Sequence, residues 1–305
     1  TNWKPLSAPC EEVIDATGCY LLPGIIDDHV HFRDPGLTHK ADILTESRAA
    51  AAGGVTSIMD MPNTNPLTVT LDALNAKLDL LNEKCIVNHS CYFGATNNNY
   101  TEFDKLDKHR VCGIKLFMGS STGNMLVDKM NSLLNIFNGT DMLIAAHCED
   151  QETIKNNIEK YKQKYKGADD IPVSAHPSIR SVPACYASSE LAVRLAKIAG
   201  ARLHILHVST AKELQLFSDE PLANKNITAE ACVAHLLFTL THYNSLGARI
   251  KCNPAVKRKT DREALRTAVN SGLIDVIATD HAPHLLSGKE GGALKAMSGM
   301  PMIQF

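Results

Sequence analysis

The chain has 305 residues, 44% of them hydrophobic and 21% charged, with a formal net charge of −2 and a pI near 6.6. That balance lacks the basic excess of a nucleic-acid binder, and no cluster of basic residues suggests a membrane surface. No apolar stretch approaches the ~20 residues that span a bilayer, and the opening TNWKPLSAPC lacks a signal-peptide core, so a cytoplasmic protein with neither nucleic-acid nor membrane partners is expected.

Along the chain, short runs rich in Ile, Val and Leu alternate with segments of helical composition. The order is strand 24–30, helix 40–52, strand 56–61, helix 71–82, strands 86–93, 113–118 and 142–147, then helices 150–165 and 184–199. Strands 202–208 and 227–233, helix 261–271 and strand 275–279 follow, and 248–252 could add one more strand. Eight strands alternating with helices, in a chain slightly longer than the ~250 residues of a typical α/β barrel, predict a single α/β domain of the (β/α)8 TIM-barrel class. Nine scattered cysteines, odd in number and without a C-x-x-C pair, read as reduced core thiols.

Barrel enzymes build their sites at the C-terminal ends of the strands, and that is where the capable side chains fall. His29 and His31 end the first expected strand, Asn63 follows the second, Lys115 lies in the fourth, and His147, His207 and Asp280 end the fifth, sixth and eighth. In H-V-H-F-R the residues His29, His31 and Arg33 are two apart, so an extended strand would point all three to one side. Taken singly, each histidine is better explained as a hydrogen-bonded strand end, and Asp280 as an N-cap or turn residue. Together they form a donor set suited to a borderline cation such as Zn²⁺. Lys115, in GIKLFM, is expected to be buried, where an unpaired ammonium is costly; it pairs with an acid or is chemically altered.

The blocks LPGIIDDHVHFRDPGLTHK, MDMPNT, GIKLF, AAHCE, HILHVST and ATDHAPH stand in the order and approximate spacing found in dihydroorotases, and the chain resembles that family over essentially its whole length. The resemblance implies a metal-dependent hydrolase barrel that reversibly hydrolyses the cyclic amide of dihydroorotate to N-carbamoyl-L-aspartate in pyrimidine biosynthesis. It implies two Zn²⁺ per chain, one on His29, His31 and Asp280 and the other on His147 and His207, bridged by a carboxylated Lys115 and a hydroxide. Asp280 would also move the catalytic proton. Arg33 and Asn63 would hold the substrate carboxylate, and Asn253 and His284 would add substrate contacts. The loop GSSTGN at 119–124 nominates Thr122 as a lid residue. The only partners implied are these small molecules, and the chain could pair as a homodimer.

Two departures from the family pattern stand out. Cys232-Val233-Ala234 replaces a common C-P-H motif, and family chains are longer. Residues 1–22 therefore read as the remnant of an N-terminal β-sandwich segment, and 23–305 as a barrel that stops at its last helix. Two rival readings are an allantoinase or hydantoinase, whose substrates lack the carboxylate that Arg33 would hold, and a non-catalytic assembly scaffold, which would usually have lost ligands.

Overall fold

Eight parallel strands follow one another around a single sheet in chain order: β1 (Ile25–Val30), β2 (Val55–Asp60), β3 (Asn88–Gly94), β4 (Val111–Phe117), β5 (Ile144–His147), β6 (Leu203–Ile205), β7 (Ile227–Cys232) and β8 (Val276–Ala278). This computed structural model describes residues 12–119 and 125–305. Residues 1–11, half of the expected sandwich remnant, and Thr122 lie outside the described residues. The longer helices Ile43–Ala52, Leu71–Lys84, Met130–Asn138, Gln151–Lys164, Val182–Ala199 and Lys259–Asn270 lie between strands, two of them between β5 and β6, while 3-10 turns fill the β3–β4 and β6–β7 connections. Ile43, Leu74, Leu133 and Leu265 of these helices share one buried cluster with Ile58, Phe93, Ile114, Ile144 and Ile205 of the strands, the cover that a parallel sheet requires. This is the (β/α)8 barrel expected from the sequence.

Local chemistry sets the boundaries. The first helix begins at Ile43 rather than at 40, because the side chain of Asp42 caps it by accepting the N–H of Thr45 at 2.9 Å. Thr70 and Asp150 cap the helices that follow them in the same way. Helix Met130–Asn138 has no counterpart in the sequence reading, although Leu133, Ile136 and Phe137 give it one buried face. The additional strand at 248–252 does not form. Gly247–Ile250 is a 3-10 turn, and the ring of eight strands already occupies the available edges. The eight described cysteines are all free thiols. Among the described residues no helix is long and apolar enough to cross a membrane.

The ring closes between β1 and β8 with little backbone pairing: one bridge between Val30 and His281 and a 2.8 Å bond from the His31 N–H to the His281 carbonyl. Asp27 supplies the rest. Buried in β1, its carboxylate accepts the Thr279 hydroxyl at 2.5 Å and the N–H groups of Thr279 and His29, each at 3.2 Å. Burial raises its pKa to about 7 against the opposing pull of those hydrogen bonds. Asp27 thus fastens the two strands whose ends carry His29 and Asp280. Asp27→Ala would strand three buried donors, each costing roughly 1–3 kcal/mol. The expected outcome is a loss of about 3 kcal/mol or more in urea denaturation; a variant with the parent's midpoint would show that the backbone bridge suffices.

Candidate metal centre

All six expected ligands reach one place, the C-terminal mouth of the barrel, around a cavity of about 890 Å³ that Arg33, Asn63, Asn253 and His284 also line. They arrive there by different backbone routes. His29, Lys115 and His147 belong to β1, β4 and β5. His31 stands just beyond β1, while His207 and Asp280 each stand two residues beyond their strands. The expectation that an unbroken extended strand aligns His29, His31 and Arg33 is therefore corrected: β1 ends at Val30 and Arg33 is left-handed, with φ 66°. Arg33, His207 (φ 40°) and Asp280 (φ 49°) are the non-glycine residues of positive φ among those described, and all three line this cavity. Such backbone persists only where the surroundings enforce it.

Two groups of donors face each other. In the first, the Nε2 atoms of His29 and His31 lie 3.3 and 3.1 Å from the same Asp280 oxygen, Oδ1. Both rings are turned by partners on their outer nitrogens. His29 Nδ1 donates to Glu230 at 3.0 Å, and His31 Nδ1 donates to Asn63 Oδ1 at 2.7 Å. Both Nε2 lone pairs then point at a carboxylate oxygen, an arrangement that calls for a positive charge between them; ligand atoms of the three residues lie within 4.8 Å of one another. Burial opposes protonation of His29, yet the flanking Glu230 and Asp280 carboxylates prevail and raise its pKa. His31, with burial dominant, is held down at about 4.

In the second group, His147 Nδ1 and His207 Nε2 are 2.9 Å apart. His147 Nε2 donates to Glu149 at 3.2 Å, so its Nδ1 lone pair is the one that faces His207. Burial, helped by the charge on Lys115, holds both rings below the usual histidine range and therefore neutral, the form that binds metals. Lys115 is 1% exposed. Among the described residues no carboxylate pairs with it, and its Nζ sits 4.6 Å from the centre of the Phe117 ring. Burial lowers its pKa to about 8 in spite of Asp280 and Glu230. The donor types and their convergence fit a divalent metal.

Arg33 brings a positive charge into the same cavity. Arg33 is buried, with its Nε on the Pro283 carbonyl at 3.1 Å and Nη2 at 3.2 Å from His284 Nε2. No carboxylate pairs with it among the described residues. Burial, then the charge of Arg33, lowers the pKa of His284 to about 3. Asn253 offers a buried Oδ1 without a hydrogen-bond partner among the described residues. Asn63, expected only as a substrate contact, spends its Oδ1 on orienting His31.

Several residues that serve the site were absent from the sequence reading. Glu230 is wholly buried in β7 and binds the His29 ring. Glu149, two residues past His147, is paired with Arg180, which with His147 holds its pKa down at about 2 against burial. Asp60 and Lys77 form a fully buried ion pair of 2.8 Å, and Asp60 accepts the Phe32 N–H between His31 and Arg33. A glutamate within the apolar run ITAEAC was the available signal for the first of these. Lys77 gave none, since a lysine in a helix ordinarily faces solvent.

Residues 20–304 match the amidohydrolase family. The chain is 34% identical over 292 residues to a dihydroorotase of Lactobacillus helveticus (strain DPC 4571), covering 95% of this chain and 67% of the relative. It is 33% identical over 303 residues to a dihydroorotase of Geobacillus kaustophilus (strain HTA426), covering 97% and 68%. Among solved structures, an L-hydantoinase (dihydropyrimidinase) from Arthrobacter aurescens superposes with a TM-score of 0.90 at 28% identity over 98% of this chain and 67% of its own. The barrel, the convergent donor groups and these matches agree, and the chain belongs to the amidohydrolase family.

Proposed function

We propose that this protein is a dihydroorotase, interconverting dihydroorotate and N-carbamoyl-L-aspartate as a step of pyrimidine synthesis. The observation that carries the choice of substrate is Arg33, a buried guanidinium with no carboxylate partner among the described residues, beside the metal-type donors. Arginine presents a planar two-donor fork that matches a carboxylate. The rest of the cavity agrees: its lining also includes Lys40, Lys251 and Lys295, against the single lining carboxylate of Asp280 among the described residues, although the chain is net negative. A hydantoin or allantoin ring has no carboxylate to answer Arg33. The hydantoinase reading draws on the Arthrobacter aurescens superposition, whose TM-score is 0.90. A scaffold without catalysis is disfavoured by the retention of every ligand type.

His29, His31 and Asp280 would hold one Zn²⁺ and His147 and His207 a second, with Lys115, carboxylated on Nζ, bridging the two. When bound, such metals lower the pKa of water to about 7 and polarise a carbonyl. The protein's own groups do the rest. Arg33 and Asn63 would hold the substrate carboxylate, with Asn253 and His284 as further substrate contacts, so that the ring amide faces Asp280. Water adds to the amide carbon, the ring C–N bond breaks, and its electron pair leaves with the nitrogen. Asp280 takes the proton from the water and returns it to that nitrogen; ring closure is the reverse.

Two outcomes follow. Arg33→Met removes a charge-assisted contact of roughly 1.5–3 kcal/mol, so the KM for dihydroorotate should rise about tenfold to a hundredfold while metal content stays at the parent level. Unchanged steady-state kinetics would move the reading to a neutral ring. Zn²⁺ at a hundredfold excess over its Kd should stabilise the fold by about 2.7 kcal/mol per bound metal, about 5.4 kcal/mol for two, and raise the thermal midpoint by about 8 °C, reversibly with a chelator. A melting curve indifferent to Zn²⁺ would remove the metal from the account.

A further inference from the structure

Beneath the metal-type donors, one side chain touches both groups. Glu230 is completely buried. Its carboxylate oxygens lie 3.0 and 3.2 Å from His29 Nδ1, in the first group. Oε1 also accepts the backbone N–H of His207, in the second group, at 2.7 Å, and the Cys232 thiol at 3.1 Å. On its other side His204 Nε2 stands 3.7 Å from Oε2 and 3.4 Å from Asp28, with Nδ1 fixed to Thr228 at 2.7 Å. The other orienting contacts are narrower. Asn63 reaches His31, and Glu149 reaches His147.

Each contact of Glu230 sets a different degree of freedom. The bond to Nδ1 fixes the His29 ring so that Nε2 faces Asp280. The bond to the His207 N–H holds a left-handed backbone (φ 40°) that an L-residue rarely adopts, and this conformation aims Nε2 at His147. We infer that Glu230 is a positioning residue that ties the two metal half-sites together, fixing the His29 ring and the His207 backbone from a single carboxylate. The inference rests on the metal reading of these ligands.

The test is a Zn²⁺ titration of the full chain against a chromophoric competing chelator, without substrate, with thermal midpoints recorded alongside. Glu230→Gln should weaken both bound metals by roughly 10–100-fold, the usual effect of removing such a supporting contact. Glu149→Gln should weaken chiefly one, the metal on His147 and His207. If Glu230→Gln does not fold, Glu230→Asp keeps the charge but is one methylene too short to span both contacts, and at least one metal should weaken tenfold or more. Parent-like affinity for both metals in a folded Glu230 variant overturns the inference and leaves the metal reading intact, as does a loss confined to one metal in Glu230→Gln. A lowered midpoint without any change in metal affinity reduces Glu230 to a structural role and also overturns it. A parent chain that binds no Zn²⁺ overturns both readings.

Discussion

A buried ammonium among imidazole nitrogens is the constraint on which this site depends. Lys115 lies in the fourth strand of a parallel barrel, 1% exposed, with no carboxylate partner among the described residues. A barrel interior of branched apolar residues gives such a charge no reason to be there. Around it stand four histidines and Asp280, all donors suited to cations. If Lys115 keeps its charge, it competes with the metals those donors would bind. If its nitrogen carries a carboxylate, the same strand position supplies the anion that two neighbouring divalent cations need, and each partner stabilises the other.

The barrel meets the demands of this mouth with buried acids placed just beneath it. Asp27 accepts from Thr279, next to Asp280; Asp60 accepts from Phe32, between His31 and Arg33; Glu230 accepts from His207. Arg33, His207 and Asp280 are the residues held in left-handed backbone. Each therefore has a strand carboxylate fastening its turn, and each of those acids is itself answered: Asp60 by Lys77, Glu230 by His29 and His204, Asp27 by hydrogen bonds to Thr279. Burial opposes charge on His204, but Asp28 and Glu230 outweigh it and push its pKa up to about 10. The strained turns thus rest on side chains of the barrel strands, as a preorganised site requires.

Most of the fold was legible because a parallel sheet covered on both faces writes each strand as a short apolar run. The eight strands appear where those runs are. The candidate donors were legible for the same reason, since His147 or Asp280 at the end of such a run breaks its pattern, and the fold brings them to one cavity. What the sequence hid was three-dimensional. The His29–His31–Arg33 spacing suggests an extended strand, whereas the real alignment comes from a left-handed turn held by Asp60 in the next strand. Glu230 carries no local sign that it reaches both His29 and His207, because the latter contact is to backbone. Lys77 and Asp60 pair across elements, and each taken alone resembles an ordinary surface charge.

The most direct test of this account is the chemical state of Lys115. Protein reconstituted with Zn²⁺ and ¹³C-labelled bicarbonate should show by ¹³C NMR one carbamate carbon per chain, lost on chelation and absent from Lys115→Ala. Two tightly bound metals with no carbamate signal would contradict it, and the charge that bridges them would have to come from another group.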